Sequence, residues 1–450
     1  MKFIGRQEEL AVLSREYVKS SSFTVVYGRR RVGKTTLIRK FIEDKDAVYF
    51  LATEESVSAN LERFSRCVSS KLGFSGVRFS GWYEAVDAAT RGGKRIIVID
   101  EFPYLAMSDA SVPSQFQNIW DTMLKSRDVM LILCGSYTGM MEEYVLKRSS
   151  PLYGRRTASM KIRPLEFSEI RDAFPERSAR QLVMEYAVHG GVPKYMEIMD
   201  LPDLRDNVFR YVANCNGVLF EEPLFLLNGE VRNPISYTTI MSCIAKGNVQ
   251  MKDISGRMET PSNALTPYIN GLIDMGFLSR SVPPTEPNPE RSRKGEYGFA
   301  DLFTGFWFKF VYPYRAELES GHADEAMRNF DEHFVDRHVA FVFESVCRQY
   351  VWGMKEEIGV RFIRVGSTGN PDHIDVVAVD PERKEAFVAE CKFQRSHVTL
   401  EVLNDLVAKG ERSRELKGFA LRYGLFSVSG FDENLRKVAE ERGVLLIRID

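Results

Sequence analysis

Cysteine is scarce in this sequence of 450 residues, and its six cysteines are scattered without a C-x-x-C pair. Several of them stand in apolar runs, which favours reduced thiols in an intracellular protein over disulfides or a zinc site. No apolar run approaches the length of a membrane span, and the N-terminal sequence MKFIGRQEEL turns charged too soon for a signal peptide. These absences predict a cytoplasmic protein that does not contact a membrane.

The sequence also lacks an excess of charge of one sign, since its formal net charge is -1. No global field therefore steers the protein to nucleic acid, and any such binding must come from a local patch. Internal repeats and low-complexity tracts are absent as well. The hydrophobic fraction of 44% and the charged fraction of 27% are typical of globular proteins. The length predicts two to four domains.

The strongest motif lies between Phe23 and Thr36, where an apolar run, FTVVY, leads into GRRRVGKT and then into the helix-type sequence TLIRKFIE. This loop fits G-x-x-x-x-G-K-[ST], which in a strand–loop–helix setting indicates a phosphate-binding loop. Backbone N–H groups and the helix N-terminus would face the phosphates. Lys34 would reach the β- and γ-phosphates, and the Thr35 hydroxyl would hold Mg²⁺. The predicted nucleotide-binding residues of the loop are Gly28, Arg29, Arg30, Arg31, Val32, Gly33, Lys34, Thr35 and Thr36.

A second apolar run, RIIVIDE (95–101), reads as a buried strand that ends in Asp100 and Glu101. Such a run suits a parallel sheet covered on both faces, and ligands bind at the carboxyl ends of its strands. Asp100 would hold Mg²⁺, directly or through water, and Glu101 would polarise the attacking water. Taken alone, the strand could end at an ordinary acidic turn, but the phosphate-binding loop upstream favours the catalytic interpretation.

Alternating strands and helices around the loop predict a doubly wound, mostly parallel α/β sheet that ends near residue 165. Just before that end, Arg155 and Arg156 follow a glycine in LYGRR. One of them, with Arg155 weakly preferred, is a candidate arginine finger that would stabilise charge on the transferred phosphoryl group. A solvated basic loop explains the two arginines equally well. Residues 166–228 have a helical pattern and are interpreted as a lid, in which Lys194 of HGGVPKY could approach the nucleotide.

Residues 229–314 fit a winged helix-turn-helix, with three helix-type segments followed by the wing strands FLSRSV and GEYGFA. The exposed positions of the third helix carry no Lys or Arg, whereas Arg291, Arg293 and Lys294 in the wing could meet phosphates. Two interpretations stay open: a DNA-binding module, or a module for protein contact and domain spacing.

These motifs, in the order GRRRVGKT, Asp-Glu, the GS strand end, LYGRR and GG-x-P-x-Y, resemble the archaeal and bacterial P-loop ATPases of the AAA+/STAND border. In that family a winged helix and a nuclease-like C-terminal domain follow the ATPase. The resemblance covers the whole chain. It implies that Ile4, Gly5 and Arg6 pack near the adenine. It also implies that Ser136, at the end of VMLILCGS, acts as sensor 1, which orients the water or the γ-phosphate.

Residues 330–450 resemble the PD-(D/E)xK nucleases, a restriction-endonuclease-like α/β fold. Asp375 stands on a predicted strand, HIDVVAVD (373–380), and Glu390 and Lys392 share one face of the next strand, EAFVAECKF (385–393). The resemblance implies that Asp375 and Glu390 bind Mg²⁺ while Lys392 positions or activates water. Glu344, on a predicted helix, matches an acidic residue of that fold and is a third predicted metal ligand. Relatives often have an acidic residue where this chain has His373, which leaves the metal shell open, and a strand hairpin with a charged wet face is the alternative.

The sequence therefore predicts an ATP-binding, Mg²⁺-dependent ATPase coupled to a DNA-binding, nuclease-like C-terminal domain. ATP or ADP is the expected ligand, Mg²⁺ the expected ion, and DNA a candidate partner. The alternative is a nucleotide-switched regulatory or signalling ATPase whose C-terminal domain only binds partners. A ring-forming motor is a third possibility, and it would need a homo-oligomer with an arginine finger acting in trans.

Overall fold

A computed structural model describes residues 3–73, 76–91, 95–136, 138–231, 233–369 and 372–450. The chain forms two compact units. The first contains Met1–Leu165 together with Val192–Tyr195, and the second contains Glu166–Gly191 and Met196–Asp450. The four predicted domain ranges stay predictions. Within the described residues, no helix is both long enough and apolar enough to cross a membrane.

Five strands of the first unit form one sheet in the order β2-β3-β4-β1-β5, and all of its pairings are parallel. The strands are β1 (Ser21–Tyr27), β2 (Ala47–Leu51), β3 (Arg95–Asp100), β4 (Val129–Gly135) and β5 (Ala158–Lys161). Alternate residues of β1 to β4 enter two separate apolar clusters, one on each face, as the two-residue period of a strand requires. The predicted parallel α/β sheet is therefore confirmed.

Helices alternate with these strands along the chain. They are α1 (Gln7–Tyr17), α2 (Lys34–Ile42), α3 (Val57–Lys71), α4 (Trp82–Ala89), α5 (Phe102–Ser108), α6 (Val112–Thr122) and α7 (Thr138–Met141). The buried side of α2 contributes Leu37, Ile38 and Phe41 to one cluster. Helix α6 contributes Phe116, Ile119 and Trp120 to the other. Because all five strands are parallel, the carboxyl ends of β1, β3 and β4 share one edge of the sheet.

The second unit begins with helices and contains a two-stranded antiparallel ribbon, β6 (Leu278–Ser281) with β7 (Glu296–Phe299). Its helices before the ribbon are α8 (Phe167–Ala173), α9 (Ala179–His189), α10 (Pro193–Ile198, whose first residues belong to the first unit), α11 (Leu204–Asn207), α12 (Glu222–Asn228), α13 (Pro234–Ala245), α14 (Met251–Arg257) and α15 (Ser262–Asp274). Helices α13 to α15 and the ribbon follow the order expected of a winged helix, and that assignment stays a prediction.

A mixed sheet of order β12-β11-β10-β9-β8 forms the end of the chain. Its strands are β8 (Arg364–Gly366), β9 (Val376–Asp380), β10 (Glu385–Lys392), β11 (Ala420–Ser427) and β12 (Leu445–Arg448). The remaining helices are α16 (Leu302–Phe310), α17 (Arg315–Glu319), α18 (Asp324–Phe334), α19 (Ala340–Gly353), α20 (Lys355–Ile358), α21 (Leu400–Arg412) and α22 (Glu433–Arg442). Strands β10, β11 and β12 are parallel, while β8 and β9 run antiparallel to their neighbours.

The prediction that Asp375 lies inside a strand is wrong by one residue, because β9 begins at Val376. The backbone pairing between β9 and β10 ends at Val376 with Ala389. Beyond this pair, a side chain makes the next hydrogen bond to β10: Asp375 Oδ2 accepts from the Cys391 backbone N–H at 2.8 Å. A side-chain acceptor thus replaces the next main-chain acceptor and holds Asp375 at the strand end.

Candidate functional site

The phosphate-binding motif forms the turn between β1 and α2. Gly28 and Gly33 both have positive φ, 149° and 94°. A Cβ atom at Gly28 would lie 2.3 Å from the Ile162 carbonyl oxygen, so this position has room for glycine only. Helix α2 begins at Lys34 with Gly33 as its N-cap. The unpaired N–H groups of its first turn therefore face the loop, an arrangement that favours an anion.

Lys34 is almost completely buried within the phosphate-binding loop. Its Nζ donates to the carbonyl oxygens of Gly28 at 2.9 Å and Arg29 at 2.7 Å. Burial lowers the pKa of Lys34, while the nearby Cys134, Glu101 and Asp100 act in the opposite direction. The loop carbonyls therefore hold this amine within the loop, and its contact with phosphate stays a prediction.

Asp100 ends β3 beside the first turn of α2. The Thr35 hydroxyl donates to Asp100 Oδ2 at 2.8 Å, and the Tyr49 hydroxyl of β2 donates to the same oxygen at 2.6 Å. A hydroxyl paired with a carboxylate supplies the hard oxygen ligands that Mg²⁺ prefers, so these residues fit the predicted ion. Burial and the Asp100 carboxylate raise the pKa of Tyr49, so its hydroxyl remains a donor. Sequence reasoning missed Tyr49, since nothing in AVYFL distinguishes it from a core residue.

Glu101 and Ser136 touch at the carboxyl ends of β3 and β4. The Ser136 backbone N–H donates to Glu101 Oε2 at 3.0 Å, and the Ser136 hydroxyl donates to the other carboxylate oxygen. Glu101 has a φ of 54°, in the left-handed region that residues other than glycine rarely adopt. The surrounding structure therefore holds this carboxylate against its backbone preference, which is common at functional sites.

The N-terminal segment lies against the same loop. Arg6 is buried, and its Nη2 donates to the carbonyl oxygens of Val32 at 2.9 Å and Arg163 at 2.6 Å. Ile4 is buried just before it, and Gly5 has a φ of 61°. Arg6 thus fixes the loop to the segment after β5. Contact of these residues with adenine stays a prediction.

Two arginines of the phosphate-binding motif lie close to tyrosine side chains. Arg30 Nη2 lies 3.2 Å from the Tyr104 hydroxyl, and the Arg31 guanidinium lies 5.9 Å from the ring centroid of Tyr195. Tyr195 ends the segment Val192–Tyr195, which belongs to the first unit and contains the predicted lid residue Lys194. Thr36 is exposed on the first turn of α2.

Arg155 stands apart from the residues around the loop that are described above. Its Nε lies 2.9 Å from Asp121 Oδ2, and its Nη1 donates to the Pro151 carbonyl oxygen at 2.8 Å. The structure therefore shows Arg155 in a local ion pair, and its role as an arginine finger stays a prediction.

Comparison with known proteins agrees with this geometry. A family model described as an ATPase domain predominantly from Archaea matches residues 3–198. An uncharacterized protein of Methanocaldococcus jannaschii is 32% identical over 396 residues, which span 87% of this chain and 88% of that protein. The chain belongs to this family of archaeal ATPases. An uncharacterized ATP-binding protein of the same organism is 50% identical over 44 residues, 10% of this chain and 75% of that protein.

The fold of this family member is also similar to a solved structure, the Walker-type ATPase of Pyrococcus abyssi. The similarity has a TM-score of 0.54 and 18% sequence identity, and it covers 68% of this chain and 96% of the other. A second family model, described as archaea bacterial proteins of unknown function, matches residues 307–403. This match includes every predicted site residue of the C-terminal domain.

The C-terminal part of the ATPase contains a second cluster of chemically active side chains. Glu344 of α19, His373 and Asp375 each place one possible ligand atom within 4.8 Å of the others. Burial and the nearby Asp375 raise the pKa of Glu344 to about 8. Burial and Glu390 likewise raise the pKa of Asp375. Carboxylates gathered out of water in this way repel one another, and a cation would relieve that repulsion.

Glu390 and Lys392 lie next to this cluster on β10. Lys392 Nζ donates to Glu390 Oε1 at 2.9 Å, and Lys409 of α21 lies 3.1 Å from both Glu390 oxygens. Burial alone would lower the pKa of Lys392, but the hydrogen bond and the charge of Glu390 raise it. The predicted roles of Glu390 as a metal ligand and of Lys392 in positioning water stay predictions. Lys409 was missed, because a lysine on an amphipathic helix reads as a solvated residue.

Proposed function

We propose that this protein hydrolyses ATP with Mg²⁺ and that its nucleotide state controls a nuclease-like C-terminal domain acting on DNA. The proposal rests on two side-chain contacts beside the phosphate-binding loop. Thr35 contacts Asp100, and Ser136 contacts Glu101. Nucleotide binding needs only the phosphate-binding loop. Hydrolysis also needs a group that polarises water, and a carboxylate oriented by its neighbours at the same edge of the sheet can do this.

Each residue has one role in this proposal. Lys34 and the loop N–H groups bind the phosphates, and Thr35 and Asp100 hold Mg²⁺, which neutralises charge on the β- and γ-oxygens when bound. The Glu101 carboxylate, oriented by Ser136, accepts a hydrogen bond from the attacking water and polarises it. Residues of Ile4–Arg6 contact the base.

Phosphate release from ATP tests the first half of the proposal. We expect Lys34→Ala to lose nucleotide binding and turnover. Glu101→Gln should keep nucleotide binding but lose turnover by about 100-fold or more, because it removes the residue that polarises water. Lys40→Ala is the matched control, since Lys40 lies exposed on the same helix in an ion pair with Glu43. Equal hydrolysis by the wild type and Lys34→Ala would contradict the ATPase assignment.

The DNA-binding part of the proposal rests on the ribbon β6–β7 and its connecting loop. Arg280 braces the loop by donating to the carbonyl oxygens of Pro289 at 2.9 Å and Ser292 at 2.5 Å. Arg291 and Arg293 are both exposed on this loop. We expect Arg291→Ala with Arg293→Ala to weaken binding to duplex DNA and to flatten its salt dependence. Lys252→Ala, on α14, serves as the control for a general loss of positive charge.

Cleavage is tested with plasmid and branched DNA in Mg²⁺ or Mn²⁺. Asp375→Ala and Lys392→Ala should each abolish cleavage, because the proposed reaction needs both a metal-binding carboxylate and a lysine near the water. Cleavage that survives both substitutions would contradict this site. The absence of cleavage by the wild type under all conditions would favour a domain that only binds partners.

One observation favours the second candidate function, a nucleotide-switched regulator. Both oxygens of Glu390 are satisfied by lysines, so part of the predicted nuclease constellation is already paired internally. A regulator should change its oligomeric size with bound nucleotide and show no salt-dependent DNA affinity. For a ring-forming motor, Arg155→Ala should abolish turnover in an oligomer. Normal turnover by a monomeric Arg155→Ala protein would contradict that arrangement.

A further inference from the structure

We propose that Glu344, His373 and Asp375 form a metal site that selects a first-row transition-metal ion, such as Mn²⁺, over Mg²⁺. The inference deepens the proposed nuclease-like function, on which its catalytic meaning rests. Binding of the ion can nevertheless be measured without any cleavage. The site differs from the predicted pair of Asp375 and Glu390 in both its ligands and its ion.

The orientation of His373 is the first observation. Its Nδ1 lies 2.8 Å from the Thr368 carbonyl oxygen, which can only accept a hydrogen bond. Nδ1 therefore carries a proton, and in the neutral ring the lone pair is on Nε2. That nitrogen faces Asp375 Oδ1 at 3.5 Å. Metal-binding histidines usually donate their second N–H to a backbone carbonyl or carboxylate, which is the arrangement found here.

Hydrogen bonds also hold the two chain neighbours of His373, which are Asp372 and Ile374. The Thr368 hydroxyl donates to the Asp372 carbonyl oxygen at 2.8 Å and accepts from the Ile374 N–H at 2.8 Å. The Thr368 N–H also donates to the Ile374 carbonyl oxygen at 3.2 Å. These bonds on both sides of His373 orient the ring before any ion binds.

The two carboxylates are held in the same way. Asp375 is mostly buried, and its Oδ2 accepts from the Cys391 N–H, which leaves Oδ1 directed at the His373 ring. Arg348, one turn along α19 from Glu344, lies 3.5 Å from the Glu344 carboxylate and donates to the Asp375 carbonyl oxygen at 2.6 Å. Arg348 therefore ties the helix to the strand end. The three ligand atoms now lie within 4.8 Å of one another, and binding of an ion would draw them closer together.

Glu390 is excluded from the ligand set because its charge is already balanced. Lys392 and Lys409 place two ammonium groups on this carboxylate, at 2.9 Å and 3.1 Å. A cation at Glu390 would have to displace or repel them. Glu390 therefore anchors two lysines beside the metal, where they can receive an anionic phosphate.

The ligand chemistry decides which ion the site prefers. Mg²⁺ takes oxygen ligands almost exclusively, whereas imidazole suits the later first-row metals, and Mn²⁺ accepts both. A set of one imidazole and two carboxylates is thus poorly matched to Mg²⁺. The competing explanation is a simple ion pair of His373 with Asp375, without any metal.

The experiment uses the full chain, stripped of metal and free of nucleotide, in an Asp100→Asn background that removes the ion-binding carboxylate of the first unit. Mn²⁺ binding is followed by the electron paramagnetic resonance of free Mn²⁺, with Mg²⁺ as competitor. Spin-echo modulation by ¹⁴N then reports directly whether an imidazole nitrogen is a ligand. His322→Ala, at an exposed histidine, is the matched control.

We expect one Mn²⁺ with ¹⁴N modulation in the parent protein. His373→Ala should lose the modulation and weaken Mn²⁺ binding by about tenfold or more. His373→Asp should keep an ion but lose the modulation, and Mg²⁺ should then compete about tenfold better. Glu344→Gln should weaken binding, whereas Glu390→Gln should leave the modulation in place.

Absence of ¹⁴N modulation, or unchanged Mn²⁺ affinity in His373→Ala, would overturn the proposal and favour the ion pair. A Glu390→Gln protein that no longer binds Mn²⁺ would overturn the ligand set. Failure of the nuclease function would look different. In that case Mn²⁺ binding would depend on His373 as expected, but no DNA would be cleaved.

Discussion

The carboxylate of Asp100 accepts hydrogen bonds from the hydroxyls of Thr35 and Tyr49 on one oxygen and from the Glu101 N–H, at 3.0 Å, on the other. Tyr49→Phe removes one of them without changing the shape of the core. We expect this substitution to raise the Mg²⁺ concentration needed for half-maximal ATP turnover by several-fold and to lower the free energy of unfolding by about 1 kcal/mol. ATP turnover measured as a function of Mg²⁺ concentration tests this expectation. Tyr83→Phe, at an exposed tyrosine, is the control. An unchanged Mg²⁺ requirement would show that Tyr49 serves only the core.

Single residues could be predicted from the sequence where their partners stand in the same short motif. Lys34 and Thr35 belong to one loop, and Asp100 ends an unmistakable buried strand. Tyr49 could not be predicted, because it meets Asp100 across 51 positions of sequence. His373 was visible only as a departure from its relatives. Its ligand-like orientation depends on a hydrogen bond to the Thr368 carbonyl, which no sequence pattern encodes.

The start of the phosphate-binding loop packs tightly against the chain after β5. Gly28→Ala would push a methyl group to 2.3 Å from the Ile162 carbonyl oxygen, at a φ of 149° that alanine rarely adopts. We expect it to destabilise the first unit by more than about 1 kcal/mol and to abolish binding of a fluorescent nucleotide. Gly139→Ala, where nothing lies within 4 Å, is the matched control. Nucleotide affinity equal to wild type in Gly28→Ala would contradict this account of the loop.

Two histidines of the second unit are buried and uncharged. Burial lowers the pKa of His189 and of His338 to about 3, against an ordinary value of 6.5. Below pH 6.5 the unfolded chain therefore binds protons that the folded chain does not bind. The stability that the two neutral histidines contribute is fully present above pH 6.5 and is lost as the pH falls towards 3. At pH 5.5 the cost is about 1.4 kcal/mol for each histidine. Urea unfolding at pH 7.5 and 5.5 measures this loss.

His338→Gln separates this effect from other acid-sensitive groups. Glutamine can still donate to the Ala187 carbonyl oxygen, which His338 Nε2 approaches at 2.8 Å, but it does not titrate. The substitution should remove about half of the loss contributed by the two histidines, and His322→Gln should remove none. An identical loss in all three proteins would contradict the assignment.

Elements were predictable where apolar runs were long and bounded by polar residues, as in β3 and β4. Their order in the sheet was not, because β1 pairs with β4 and β5, which lie far along the chain. For a related reason, the predicted strand 373–380 began three residues before β9, which starts at Val376. The Asp375 side chain replaces a main-chain acceptor there, and its partner, the Cys391 N–H, stands 16 positions away.

At the scale of the whole molecule, the proposed function couples the two units through nucleotide state. If the coupling exists, Lys34→Ala should change the rate of DNA cleavage or the DNA affinity by about fivefold or more, although Lys34 contacts no DNA in the proposal. The measurement compares wild type and Lys34→Ala with ATP, ADP and no nucleotide, and Lys40→Ala is again the control. Identical responses in all three nucleotide conditions would mean that the two activities are independent.

The first unit is not one continuous stretch of chain, since Val192–Tyr195 belongs to it although residues of the second unit flank that segment on both sides. A truncation after Leu165 would therefore discard four residues of the very unit that it is meant to isolate, among them the tyrosine under Arg31. A fragment ending at Ile198, where α10 ends, would retain them. It would, however, also include α8 and α9 without the rest of the second unit, to which these helices belong. For the same reason, after a single proteolytic cut between Leu165 and Glu166 the fragment that carries the second unit still contains Val192–Tyr195, so this cut does not divide the chain into the two units.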